Sequence, residues 1–418
     1  MTTDAPAQDS PAPDAPFLIP ESGLVRIPFK SLMADPHGMF RAARALGPVA
    51  GFSDGSAMLL RAADVQGMFG DPRIRQIGVE GMQAAGVAEG PFLGWARETL
   101  LLSHGRDHVR RRTPLARAFA YPLMNTLRPS IRRAAHRLIA DWTPGEAVDL
   151  RDSFAAQLPA RTIAEILGAP EEDVPDFTAL VYRMTKGLAF GTLPDQFDDI
   201  HQAASDLHDY VDGLLADRRA QPRDDFLSAY VARVDADGDL SPSEIIAQIV
   251  TVIIGGADTT RAAMTALVSL LMDHRAQWDL VCADPEMAAG AVAEGLRYEP
   301  SIGSIPVFTL EPIEASGVVI PAYRVLSLSM MSAMRDEALY SDPDRFDITR
   351  TDHPRLHLVF GGGPHRCLGE ALARAELEEG LIALAQAWPN LRRTGPAVRM
   401  SGMGGIRTAS SLTVVPAA

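Results

Sequence analysis

Phe360-Gly361-Gly362-Gly363-Pro364-His365-Arg366-Cys367-Leu368-Gly369-Glu370 is the stretch around which this chain reads. Three glycines and a proline make a turn that is stiff yet sterically bare, and glycine takes the positive φ that a tight loop needs. A flat cofactor can approach such a loop closely. After Cys367 the pattern changes: Leu368, Leu372, Ala375, Leu377, Leu381, Ile382 and Leu384 recur at roughly helical spacing until Trp388-Pro389. This places Cys367 just before a helix N-terminus. Free backbone N–H groups there favour a thiolate over a thiol, the condition for metal ligation. Taken alone, Cys367 reads as a small buried hydrophobe in a glycine-rich turn.

Composition sets the bounds. The chain has 418 residues, 47% of them hydrophobic, enough for a large core. At about 150 residues per domain this allows two or three domains, or one large fold. Two cysteines, Cys282 and Cys367, make no disulfide framework and suit a reducing cytoplasm. Residues 1–20 contain five prolines and three aspartates and precede the first basic residue, Arg26. They read as a disordered lead-in, neither signal peptide nor anchor. No apolar run reaches the roughly 20 residues of a membrane span. The longest, Ile245 to Ala257, is broken by Gln248 and Thr251 and followed by Asp258 and Arg261. A net charge of −14 argues against nucleic acid as a partner.

Along the chain, Asp35-Pro36 is a cap and first-turn proline opening a short helix. Val49–Phe52 and Ala57–Leu60 flank Ser53-Asp54-Gly55-Ser56, a hairpin signal. Gly78 to Gly94 reads as a mobile loop with an apolar inner face. His108 and Arg112 stand four apart, so on a helix they share a face and can donate to one anionic group. Pro114 is expected to disturb that helix. From Leu123 to Val234 helical periods alternate with breakers, an all-helical half. Within it Val181, Met184, Leu188, Ala189 and Phe190 form an apolar stripe that reads as core.

Ser241-Pro242-Ser243-Glu244 is a capping box opening the longest helix, which runs to about Asp273. Its middle carries Gly255-Gly256-Ala257-Asp258-Thr259-Thr260, where two glycines weaken a helix by about 1 kcal/mol each and a buried carboxylate needs a partner. Such a local violation points to function. Glu294 and Arg297 place an acid and a base on one face of a helix ending near Pro300. Ile302–Phe308, Val318–Ile320 and Val325–Leu328 read as short strands. Met400 to Val415 has a glycine turn between strand-like flanks.

Phe-Gly-x-Gly-x-His-x-Cys-x-Gly, met here by Phe360, Gly361, Gly363, His365, Cys367 and Gly369, resembles the haem-binding signature of the cytochrome P450 family. The likeness runs from about Pro36 to the C-terminus. It implies a mainly α fold with a smaller β region, a long central helix over the haem, and one catalytic domain over residues 21–418. Cys367 would be the axial ligand of haem b iron, beside Phe360, Gly361, His365 and Gly369. His108 and Arg112, followed by Phe119, resemble the helix that holds haem propionates. Arg106, Arg110 and Arg111 would then lie on the cysteine side, a basic dock for an acidic ferredoxin.

Gly255 to Thr259 resembles the family's oxygen-activation motif, with Gly255 and Gly256 bare toward the cofactor and dioxygen. Thr259 would hydrogen-bond the dioxygen and Asp258 would pass protons. Glu294, Arg297 and Arg345 match a structural network on the haem-side scaffold. Phe92, Leu93, Val252, Ile305, Val307, Met403 and Ile406 suggest an apolar substrate pocket. The implied activity is monooxygenation of a small or medium apolar substrate. NAD(P)H would supply electrons through a separate ferredoxin, expected to be of the 2Fe–2S kind, and its reductase, to a monomer. A peroxide-using enzyme or a non-catalytic haem sensor or carrier is the alternative. Three positions depart from the pattern. Val307 stands where an arginine often donates to a propionate, Pro321-Ala322-Tyr323 replaces Pro-Ala-Gly, and Met334 replaces asparagine.

Overall fold

The structure, a computed structural model, describes residues 14–84, 86–119, 126–188 and 194–417. Ala189 and Phe190 of the apolar stripe, and most of the expected N-terminal lead-in, lie outside the described residues.

The chain begins with two strands, β1 (Phe17–Ile19) and β2 (Leu24–Arg26). Helix α1 (Pro36–Leu46) follows, with the Asp35 side chain accepting from Gly38 N as its cap. The expected hairpin is β3 (Val49–Gly51) against β4 (Ala57–Leu59). Strand β5 (Ile74–Gln76) leads into residues 78–94, which are helical toward both ends and, among the described residues, irregular over 86–90. They form α2 (Val79–Ala84) and the start of α3 (Pro91–Glu98), whose apolar side seats Phe92, Leu93 and Trp95 in the core. Proline at the first position makes α3 possible in a glycine-rich stretch.

Helix α4 (Gly105–Ala118) continues through Pro114. Thr113 Oγ1 donates to the Val109 carbonyl at 2.7 Å, taking up an acceptor in the turn that proline loosens. The helical half contains α5 (Arg128–Ile139), α6 (Gln157–Leu167), α7 (Val174–Thr185), α8 (Phe197–Ala220) and α9 (Phe226–Asp237). Val181 and Met184 of α7 are core residues, as expected of the stripe.

Helix α10 (Pro242–Asp273) opens on the expected capping box and runs 32 residues. At ~1.5 Å per residue that is about 48 Å, enough to cross the molecule. Among the described residues it is the one helix long and apolar enough to cross a membrane, yet 67% of that window is buried inside the protein. Its polar interruptions are satisfied there. Gln248 Oε1 accepts from Leu100 N at 2.8 Å while its Nε2 donates to the Glu98 carbonyl at 2.8 Å, and Thr251 shares a 2.6 Å hydrogen bond with Thr99.

After α11 (Met287–Tyr298) come β6 (Ser304–Thr309), a short hairpin, and β7 (Val325–Ser329). The main sheet has the order β1-β2-β3-β4-β7-β6-β5, with β7 parallel to β4 and antiparallel to β6. Helix α12 (Glu370–Ala387) follows the glycine-rich loop and packs on α5, α10 and α11. One core cluster joins the helices to the inner strands, and a smaller one fills the space under α1.

Candidate active site

The glycine-rich loop is held by its own backbone. Cys367 N donates to the Phe360 carbonyl at 2.8 Å, and Gly361 and Gly363 take φ of +68° and +57°. A Cβ at Gly363 would stand 2.9 Å from the Phe69 backbone, so glycine is required there by close approach as well as by φ. Arg366 donates to the Gly361 carbonyl and pairs with Glu370, closing the turn.

Cys367 keeps accessible surface deep inside the protein. Burial pushes its thiol up, against the pull of the Gly369 N–H, Arg112 and Arg366. The Gly369 N–H pulls toward the thiolate as a helix terminus implies, while burial, and Glu370 beside it, push the other way. Helix α12 starts only at Glu370, and desolvation outweighs one N–H and two cations.

A second feature lies beside the loop. Arg112 of α4 donates to the Arg366 carbonyl at 2.5 Å, and among the described residues no acidic side chain is bonded to it. The rings of His108 and His365 sit 3.8 Å apart, and His108 Nε2 is buried without a partner. Burial first, and then neighbouring cations, pull His108 down to about 4 and His365 to about 3. Two neutral imidazoles and an unpaired guanidinium in one place form a donor set that lacks an anion. A haem fits this site, with a thiol for its iron and donors for its carboxylates. Ile305 belongs to the same wall, since its Cδ1 would touch a Cβ at Gly361 at 3.7 Å. At Val307, cross-strand neighbours Gln76 and Leu326 supply no cation.

On α10, Gly255 is exposed and a Cβ there would meet nothing within 4 Å. Gly256 is different. A Cβ on it would strike Ile163 Cδ1 at 2.9 Å, so its bareness serves packing against α6 and not the cofactor. Thr259 Oγ1 donates to the Gly255 carbonyl at 3.2 Å. Asp258 is 8% exposed and pairs with Arg261, whose guanidinium lies 4.1 Å over the Tyr182 ring. Burial pushes the Asp258 carboxyl up, while Arg261 and Arg151 oppose it. The i, i+3 spacing of Asp258 and Arg261 is the sequence signal of this helix-face pair.

Three further expectations are corrected. Glu294 and Arg297 form a fully buried pair at 2.6 Å, with Arg297 also donating to the Pro343 carbonyl at 2.7 Å. Arg345 contributes only its backbone carbonyl; its exposed side chain pairs with Asp347. The second arginine is Arg350, buried and 3.3 Å from Glu294. Arg110 and Arg111 are not free for a docking partner. Both pair with Glu244 at the start of α10, which leaves Arg106. In the expected pocket, Phe92 and Leu93 are fully buried, the Phe92 ring tilted against those of Trp95 and Phe197. Val307 is likewise buried, and Met403 packs on the small cluster under α1. Val252, Ile305 and Ile406 keep accessible surface.

A family model described as Cytochrome P450 matches residues 171–278 and 286–389. The plant-inducible cytochrome P450-pinF1 of Rhizobium radiobacter is 40% identical over 388 residues, covering 93% of this chain and 92% of that one. The vitamin D(3) 25-hydroxylase of Pseudonocardia autotrophica is 35% identical, covering 84% and 85%. Among solved structures, CalO2 superposes with a TM-score of 0.85 at 28% identity, covering 92% of this chain and 97% of that one.

Proposed function

The chain belongs to the cytochrome P450 family of haem b monooxygenases, and from that premise we propose that it inserts one oxygen atom of O2 into a C–H bond of an apolar organic substrate. The family draws on NAD(P)H indirectly, through redox partners. Here the electrons come from a ferredoxin and its reductase, the ferredoxin touching Arg106.

The observation that carries the proposal is the cluster of His108, His365 and Arg112 beside the Cys367 loop, with His108 Nε2 buried and without a partner. Bound haem supplies the iron at which O2 is activated, with a cysteine thiolate favouring O–O cleavage. Cys367 would hold the iron as a thiolate, metal binding offsetting the burial that favours its thiol. His108, His365 and Arg112 would hold the haem carboxylates as hydrogen-bond donors.

Thr259 presents its hydroxyl from the α10 turn beside Gly255. Asp258 stands one position before it and exchanges protons with solvent when Arg261 lets go. The side chains of Val252, Ile305 and Ile406 are apolar and exclude water, which selects an uncharged substrate. A peroxide-dependent route is disfavoured because it has no use for the Asp258–Thr259 pair.

The test is the absorption spectrum of the purified, dithionite-reduced holoprotein with carbon monoxide. A strongly red-shifted Soret band is expected, reporting thiolate ligation through Cys367. A Soret band typical of histidine-ligated haem would overturn the proposal.

A further inference from the structure

The turn that carries Ile406 to the pocket has little regular structure of its own. Residues 402–407 include three glycines and join two strands of two residues each, Met400–Ser401 and Thr408–Ala409. A glycine-rich turn loses more backbone entropy on being fixed than an ordinary one, so the bonds that fix it must offset more. Part of the fixing is done by backbone. Gly303 N donates to the Gly405 carbonyl and Gly405 N to the Ser304 carbonyl, both at 2.9 Å, and Arg407 N donates to the Ser301 carbonyl at 2.8 Å. Gly303 allows that approach, because a Cβ on it would stand 2.5 Å from the Met403 oxygen. Ile406 is thereby bridged to Ile302, just before β6.

The rest is done by one side chain. Arg407 is 2% exposed, and its guanidinium folds back on the turn. Its Nε donates to the Gly402 carbonyl and its Nη2 to the Met400 carbonyl, each at 3.3 Å. Nη1 donates to the Pro300 carbonyl at 3.0 Å and to Glu299 Oε2 at 2.8 Å. A single planar fork therefore joins the entry of the turn to the residue that ends α11, a task for a guanidinium and not for the point charge of a lysine. Glu299 is fixed in turn, since its Oε1 lies 2.8 Å from His37 Nε2. Parting a buried cation from its counter-ion is costly, so Arg407 stays on Glu299 and the turn stays with it.

What the turn carries gives the fork its consequence. Ile305 of β6 lies on the segment to which the turn is bonded, and its Cδ1 comes within 3.7 Å of a Cβ built on Gly361 in the Cys367 loop. We propose that Arg407 is a positioning residue that sets substrate specificity: its fork on Glu299 fixes how far Ile406 stands from Ile305, and so how bulky a group the pocket admits between them. The proposal rests on the place given above to Ile406 in the pocket.

The test uses ferric holoprotein and two probes, imidazole and 4-phenylimidazole, whose binding to the iron shifts the Soret band. Both need the iron, and only the second places a further ring in the space beside it. Arg407→Lys keeps the charge and loses the fork. It should weaken 4-phenylimidazole about tenfold, the size of a one-methylene misfit, while imidazole stays within about twofold. Ile406→Ala should also weaken 4-phenylimidazole, and in that background Arg407→Lys should add nothing further, because the two act through one contact. Equal weakening of both probes, no weakening of either, or additive effects of the two substitutions overturns the proposal. If Arg407→Lys does not fold, Glu299→Gln decides, since it leaves the fork without its counter-charge. The same selective loss is expected, and an unchanged ratio of the two affinities overturns the proposal. Should Ile406→Ala leave that ratio unchanged, the reading of the pocket falls and the proposal with it. Imidazole binding and the carbon monoxide spectrum report the haem itself, so their failure is distinguishable from a failure of Arg407.

Discussion

Burial pushes the Cys367 thiol up, and a bound metal cation would act against that push. Cys367→Ser should therefore leave the helical fold intact, since Cys367 N and not its sulfur closes the loop on Phe360. Reduced protein with carbon monoxide should lose the red-shifted Soret band, which absorption spectra check directly. Thr259→Ala removes a hydroxyl whose visible bond is one 3.2 Å contact with the Gly255 carbonyl. Haem content should stay unchanged while product per NAD(P)H drops, and unchanged coupling would count against a proton role. Arg345 and Arg350 separate two residues that look alike in sequence. Arg350→Ala takes a buried cation from Glu294 and should cost about 1–3 kcal/mol in urea unfolding. Arg345→Ala, on an exposed side chain, should stay within about 0.5 kcal/mol.

Helix α10 is held at its start by one carboxylate with three tasks. Glu244 closes the capping box on Ser241 N, and it pairs with Arg110 and Arg111 of α4. The helix that crosses the molecule is thereby fastened to the helix that presents His108 and Arg112. Arg110 first, with the Ser241 N–H and Arg111 behind it, outweighs burial and holds the Glu244 carboxyl down to about 2. A depressed carboxylate stabilises the fold at pH above its ordinary value of 4.5. That contribution is lost as pH falls from there through about 2. Glu244→Gln should remove that part of the acid transition and lower stability at pH 7 by about 2–4 kcal/mol, the range for breaking a buried charged pair and a cap. Circular dichroism followed against pH checks both statements. If the acid transition of the variant matches wild type, Glu244 is not the fastening.

Over the whole molecule, what was legible in the sequence is what depends on neighbours along the chain. The Asp35-Pro36 cap, the Ser241 capping box, the hairpin at Asp54-Gly55 and the cysteine loop are all short-range devices, and each stands where its residues imply. Arg350, the lock of Arg110 and Arg111 on Glu244, and the fork of Arg407 on Glu299 are set by contacts between distant segments, which no local spacing announces. The same long-range logic joins α1 to the rest. Glu299 at the end of α11 receives Arg407 at 2.8 Å and His37 of α1 at 2.8 Å, while Arg44 of α1 reaches Glu337. Burial keeps His37 below its ordinary value, so it serves as a neutral donor. Burial alone would raise Glu299, but His37 and the two guanidiniums of Arg407 and Arg335 bring it to about 2. The guanidiniums, which stay charged, are the dependable part of that pull. Both shifts have the same sign for stability. A lowered histidine loses stability as pH falls below its ordinary value of 6.5, because the unfolded chain takes up the proton first. The lowered carboxylate adds its loss below 4.5. The small core cluster under α1 therefore has an acid-sensitive tie of its own. Hydrogen exchange should show residues 25–60 opening faster as pH drops from 7 to 5, after correction for intrinsic exchange, while α10 and α12 stay protected. His37→Gln, which keeps a donor toward Glu299 without the titration, should flatten that dependence. Equal acceleration in the variant would place the acid sensitivity elsewhere.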